Sequence, residues 1–290
     1  MTTRARAGKV LAPYLLVLPG GLWLAAFFVI PIVLMLSLSL QTGSIEEGFR
    51  LTWRVATYAD ALSLYHTQLV RSLVYSGIVT ATALVVSYPV AYWIAFHGGS
   101  RKSTFLFLIL LPFFVSFVIR TVSWQFILAD QGILLAPLKS LHLLPSDFHV
   151  LATAWAVIGG LTYNFLPFMV LPLYVSLERI DPTLVEAAHD LYASRAQGFL
   201  RVILPLSLPG VFAGVLLTFV PAAADFVNAT ILGGASTTMI GSLIQTEYLT
   251  NNDYPLASAL SFALMAALLI GVFAYAKALG TEEVLEVSAV

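Results

Sequence analysis

Six long apolar runs separated by short polar stretches dominate this chain of 290 residues and limit what it can fold into. They cover about residues 14–40, 69–96, 105–128, 150–175, 207–231 and 255–279, and each reaches the roughly 20 residues a helix needs to cross a bilayer. Hydrophobic residues make up 59% and charged residues 10% of the chain, against roughly 25% charged in a soluble domain. A water-soluble fold has no means of covering that much apolar surface. The expected fold class is an all-α membrane protein, six transmembrane helices forming one membrane domain over 1–290. Cysteine is absent, which excludes disulfides, thiol catalysis and cysteine-ligated metal. No basic tract marks a nucleic-acid partner. His66, His97, His142, His149 and His189 are scattered without ligand spacing.

The charges lie between the runs. Arg4, Arg6 and Lys9 precede the first run, which is far longer than the 7 to 15 apolar residues of a signal-peptide core, so it reads as a retained helix. Basic residues near span ends resist translocation. Placing the N-terminus inside puts Arg101, Lys102, Arg179, Arg195, Arg201 and Lys277 on the cytoplasmic side with the first three, and only Arg50, Arg54, Arg71 and Lys139 outside. Both termini are expected in the cytoplasm, including the short polar tail with Glu282, Glu283 and Glu286. Residues 41–68 form the longest outer loop, and Glu247 and Asp253 of the last one read either as solvated groups or as a contact for the basic rim of a binding protein.

The polar segment of about 177–206 falls on the cytoplasmic side. Asp181-Pro182 starts a helix, Asp as the cap and Pro in the first turn, where a missing N–H costs nothing. Leu184, Ala187, Ala188 and Leu191 recur at helical spacing as a small apolar stripe. Glu186 and Asp190, four apart, share a side and present acceptors. Ser194 is placed to cap a second short helix, with Pro205 expected to end it before the fifth span. On these features alone the segment is either a protein-docking surface or a solvated interfacial loop.

Glu186-Ala187-Ala188, then Ala193-Ser194, Phe199 and Leu204-Pro205, resemble the loop by which the membrane subunits of binding-protein-dependent ABC importers grip their ATPase. Tyr192 stands where that pattern has glycine, so the bend between the two short helices is expected to be shallower or displaced. The likeness continues through Leu111-Pro112-Phe113, Arg120-Thr121, Trp124, Leu166-Pro167-Phe168 and Leu232-Gly233-Gly234, where the chain is similar to the spermidine/putrescine permease branch. Ala224 replaces another common glycine. The resemblance implies the type I importer permease fold in a bacterial cytoplasmic membrane. It also implies two ATPase subunits, a second similar permease and an extracytoplasmic substrate-binding protein as partners. ATP and Mg would be bound by the ATPase, because this chain has no phosphate-binding Gly-x-x-x-x-Gly-Lys-Ser/Thr loop and no cofactor of its own. Glu186, Ala187, Ala188, Asp190, Leu191, Ala193, Ser194, Phe199 and Pro205 are the expected coupling residues. Related permeases carry ferric ion, opines or phosphonates, so the solute stays open.

Arg120 and Asp225 lie inside spans. Counted along unbroken helices at about 1.5 Å per residue, they sit roughly 22 and 27 Å from the cytoplasmic ends. Burying a charge at such depth is scored at roughly +2.5 to +3.5 kcal/mol, so partners are expected. Three readings of Asp225 remain: a pair with Arg120, a lining of the substrate pathway with Trp124 as a cation-π surface, or solvation at the interface. Arg120 reads as structural or gating. Tyr163 and Asn164 are further candidates for the pathway or for interhelical hydrogen bonds. An intramembrane enzyme would need acidic, histidine or serine residues clustered in one cavity, and a scaffold would leave the Glu-Ala-Ala loop unexplained.

Overall fold

The computed structural model describes residues 16–278, apart from the His189 side chain. Arg4, Arg6, Lys9 and the tail with Glu282, Glu283 and Glu286 lie outside the described residues. Helix α1 spans Leu16–Ser39 and contains a π turn at Ala25–Val29. Two short strands follow, β1 (Gln41–Thr42) and β2 (Arg50–Leu51), paired antiparallel. Then come α2 (Ala56–His97), α3 (Lys102–Leu110) with a 3-10 turn at Leu111–Phe114, α4 (Phe117–Leu128) and the short α5 (Leu135–Ser140). The second half holds α6 (Ala154–Glu178), α7 (Pro182–Asp190), α8 (Arg195–Ala223), α9 (Val227–Ile231), α10 (Ile240–Leu249) and α11 (Tyr254–Ala278). Five of these helices are long and apolar enough to cross a membrane, and the bent pair formed by α3 with its 3-10 turn and α4 makes a sixth.

Helix bounds depart from the apolar runs where polar residues sustain a helix or apolar residues fail to. α2 has 42 residues, so residues 56–68, expected as loop, continue the second span beyond the hydrocarbon. The third span is not one helix over 105–128. Pro112 cannot donate to the turn before it, Val115 and Ser116 are extended, and the two halves meet at 89°. The fifth span does not reach 231. It ends at Ala223 and restarts as α9, with Ala224 at the C-cap. At its other end Pro205 stops nothing. A π turn at Phe199–Ile203, in which the Leu204 N–H reaches the Phe199 carbonyl, widens the backbone ahead of the proline, and α8 runs on.

The chain forms two compact units. The described part of the first, within 1–64 and 246–263, joins Ser39 to Tyr58 by a 2.7 Å hydroxyl contact and packs Phe49 and Tyr248 on Tyr254 at 5.3 and 4.9 Å between ring centres. Here Glu247 is buried rather than solvated, and accepts from Asn251 Nδ2 at 2.9 Å. Asp253, instead of hanging free, accepts from the Leu256 N–H at 3.0 Å and caps α11.

The second unit, within 65–245 and 264–290, is built on α6 packed against α8. Met169, Val170, Leu173 and Leu177 of α6 form a core with Ala83, Ala91 and Ala95 of α2 and with Ile203. Lipid competes for apolar side chains as well as another helix does, so close approach through small residues drives the packing. Gly210 and Gly214 provide it. A Cβ at Gly210 would stand 2.5 Å from the Ser176 Cβ, and one at Gly214 2.7 Å from the Met169 sulfur. On the same face Ser207 shares a 2.7 Å hydrogen bond with the Tyr88 hydroxyl. Gly214→Leu should therefore cost about 2 kcal/mol through overpacking, whereas Gly271→Leu, with nothing within 4 Å of its added Cβ, should stay within about 0.5 kcal/mol of native. Thermal unfolding of the two purified variants in one detergent checks the contrast.

Candidate functional site

The loop between α6 and α8 is a helix held at both ends by its own sequence. Asp181 Oδ1 accepts from the Thr183 N–H at 2.9 Å, capping α7, with Pro182 at its first position. That hydrogen bond, together with the Thr183 side chain, holds the Asp181 carboxyl below its ordinary value of 3.8. The cap is consequently complete at neutral pH and is lost only as pH falls through this lowered value. At the other end the Ala193 N–H reaches back to the Ala188 carbonyl at 3.0 Å and the Leu191 N–H to the Ala187 carbonyl at 3.2 Å. The second is the last ordinary helical bond, and the first is the six-to-one bond of a Schellman-type closure, in which the residue before the donor is left-handed. Tyr192 fills that position at φ +59°. The bend is thus neither shallower nor displaced, and a bulky residue adopts the glycine conformation at a cost of about 1 kcal/mol. Ser194 then caps α8 in a reciprocal box: its Oγ accepts from the Gln197 N–H at 3.3 Å, and Gln197 Oε1 accepts from the Ser194 N–H at 2.9 Å.

Val185 and Phe199 turn inward onto the α6–α8 core, where Phe199 meets Tyr88 edge-on at 5.6 Å. Leu184, Glu186, Ala187, Asp190 and Leu191 are exposed, while Ala188 and Ala193 are half-buried. The helix therefore presents two carboxylates beside an uncovered apolar stripe. Pro205 lies past the π turn, inside α8. Lys102 Nζ holds both Glu178 oxygens at 2.9 Å, joining the start of α3 to the end of α6 beside the loop.

The intramembrane candidates separate into two groups. Arg120 and Asp225 form no ion pair. Depths counted along unbroken helices hold for neither, because Arg120 lies just beyond a break and Asp225 within one. Arg120, 8% exposed, folds back across the bend onto the Phe113 and Phe117 rings, 4.7 and 5.6 Å from their centres, and its Nε is buried without a partner. Asp225, 7% exposed, caps α9: its Oδ1 accepts from the Asn228 N–H at 2.7 Å and from Asn228 Nδ2 at 3.2 Å. Asn164 Nδ2 donates to Asn228 Oδ1 at 3.0 Å and to Thr121 Oγ1 at 3.1 Å, and the Thr121 hydroxyl donates to the Phe117 carbonyl at 3.1 Å. One buried network thus links α4, α6 and α9 at the places where two spans break. Trp124 and Tyr163 stand beside it, half-buried and edge to face at 5.3 Å.

Thr121 and Phe113 enter the sequence reading only as marks of the family likeness, and the roles of Thr121, Asn228 and the two phenylalanines under Arg120 come from the structure. Asp225-x-x-Asn228 has capping spacing, but that signal is invisible while the span is taken as continuous. Asparagine caps as well as aspartate, so Asp225→Asn should unfold at or above the native temperature, and Asp225→Ala should lose about 1 kcal/mol. Thermal unfolding of the purified proteins gives the order.

Residues 87–278 match the family described as binding-protein-dependent transport system inner membrane component. The chain is 37% identical over 257 residues to the spermidine/putrescine transport system permease protein PotB of Haemophilus influenzae, covering 88% of this chain and 90% of that one. It is 34% identical over 257 residues to PotB of Escherichia coli, covering 88% and 94%. Its fold is similar to that in the crystal structure of a bacterial ABC transporter involved in the import of the acidic polysaccharide alginate, with a TM-score of 0.75, 17% identity and coverage of 97% and 99%. With its membrane-crossing helices and this extent of likeness, the chain belongs to the binding-protein-dependent transport system inner membrane components, the permease subunits of ABC importers.

Proposed function

We propose that the chain forms, with a second permease, the translocation pathway of an ATP-driven importer of polyamines, spermidine and putrescine being the reference solutes. The observation that carries the coupling part is α7 itself: a capped helix whose exposed face offers Glu186 and Asp190 beside Leu184, Ala187 and Leu191. A partner cleft with apolar walls and donor groups at its edge would fit that face. The two ATPase subunits, which hold ATP and Mg, supply the cleft. A substrate-binding protein delivers solute from outside, a reading supported by the structurally similar bacterial alginate ABC transporter, whose crystal structure is a complex with an alginate pentasaccharide-bound periplasmic protein.

Displacement of α7 reaches the membrane through few soft joints. Ser194 and Gln197 lock the start of α8, α8 continues through the π turn, and Gly210 and Gly214 seat it on α6. A push on the loop therefore moves α6 and α8 together, the rigid-body rocking that alternating access requires. The polyamine part rests on the relatives and on the Trp124–Tyr163 pair, whose faces suit an ammonium group. Asn164 and Asp225, buried in the network behind, hold the spans that carry this pair, and Arg120 keeps the bend of the third span.

Purification of the tagged chain from its host in mild detergent should recover an ABC ATPase and a second permease. Glu186→Lys, a charge reversal at an exposed position, should lose the ATPase and keep the permease pair. Recovery of the intact native chain with no ATPase overturns the importer reading. In vesicles containing the whole complex, Tyr163→Ala should raise the KM for labelled spermidine about tenfold, the equivalent of roughly 1.4 kcal/mol, with assembly unchanged. An unaltered KM removes Tyr163 from the pathway.

A further inference from the structure

Tyr192 is the one place where α7 keeps an unfavourable conformation with no benefit visible inside the chain. Its φ of +59° lies in the left-handed region, which glycine enters freely and an aromatic residue does not. Its side chain is 98% exposed, so no packing within the chain compensates. Leu191 before it is 81% exposed. Two large apolar side chains in succession therefore project from the tip of a loop into water.

A bilayer surface is a poor partner for them. The cytoplasmic leaflet is negatively charged, while the helix and tip at 181–192 carry Asp181, Glu186 and Asp190, and the nearest basic residues, Arg179 and Arg195, stand at the two ends of the loop rather than beside Leu191 and Tyr192. A protein surface suits them better. The projecting pair continues the exposed face of α7, where carboxylates border apolar side chains, and aromatic residues ringed by polar groups are the usual anchors of protein interfaces. Strain held at a conspicuous position with no internal return is the pattern of functional sites.

We infer that Tyr192 is a partner-selecting anchor: its ring enters an apolar pocket of the ATPase, next to the cleft that receives α7, and so restricts coupling to an ATPase that has such a pocket. The inference rests on the importer reading above. The left-handed backbone is what aims the ring away from the α6–α8 core and toward the partner. Replacement by glycine removes ring and strain together, replacement by alanine removes the ring alone, and phenylalanine keeps both.

The test is the dissociation rate of the ATPase from the complete importer immobilised through a tag on this chain. Tyr192→Gly and Tyr192→Ala should both release the ATPase about tenfold faster than native, as loss of an interface anchor does, and Tyr192→Phe should release it at the native rate. The thermal midpoint of Tyr192→Gly should stand at or above native, which separates a lost contact from a damaged fold. Native-rate release from Tyr192→Gly and Tyr192→Ala overturns the inference while leaving the importer reading intact. Absence of any ATPase from the native complex overturns both.

Discussion

Hydrocarbon supplies no hydrogen bonds, so every interruption of a membrane helix must be satisfied by the protein itself. This chain interrupts two of its spans, at Val115–Ser116 and at Ala224–Phe226. Asp225 repairs the second by accepting from the Asn228 N–H at the start of α9, and Asn164, from the unbroken α6, ties Asn228 to Thr121 in the helix that follows the first. α6 serves as the fixed post to which both broken spans are tied. Its burial reflects this, since Leu161, Met169, Val170 and Leu173 are fully enclosed.

α6 also receives α8, and through α8 the loop. The two ends of the helix pair are built differently, as their surroundings dictate. Near the cytoplasm, small residues allow backbones to approach, and an exposed ion pair and aromatic contacts finish the packing. At the breaks, where water is excluded, amides and hydroxyls replace methyl groups. A cation such as Arg120 can remain there because aromatic faces accept positive charge without needing a hydrogen bond from every nitrogen.

The sequence exposed whatever is periodic or local. Long apolar runs place the spans, and Asp181-Pro182, Ser194 and the spacing of Glu186 and Asp190 place the short helix between α6 and α8, because caps and stripes are written in neighbouring residues. Pro112 and Pro221 signal bends in the third and fifth spans, but that each stands beside a full interruption is not legible. Nothing in the hydropathy of 105–128 or 207–231 distinguishes a straight helix from a broken one, and the expected partnership of Arg120 with Asp225 rested on that straightness. Likewise Pro205 looks like a terminator in isolation and becomes harmless only because the preceding turn widens. The contacts that decide these cases, such as Asn164 with Asn228, join residues far apart in the chain.

The π turn at Phe199–Ile203 has a geometric meaning beyond its tolerance of a proline. Its hydrogen bond spans one more residue than the ordinary helical turn, and one residue corresponds to about 100° of rotation around a helix axis. That extra residue works as a phase shifter between two surfaces of a single rod: it sets the angle at which the loop's outward face stands relative to the Ser207, Gly210 and Gly214 face in the membrane. Gain or loss of one residue at this turn would re-index the loop's outward face against the membrane helices with every contact residue still present.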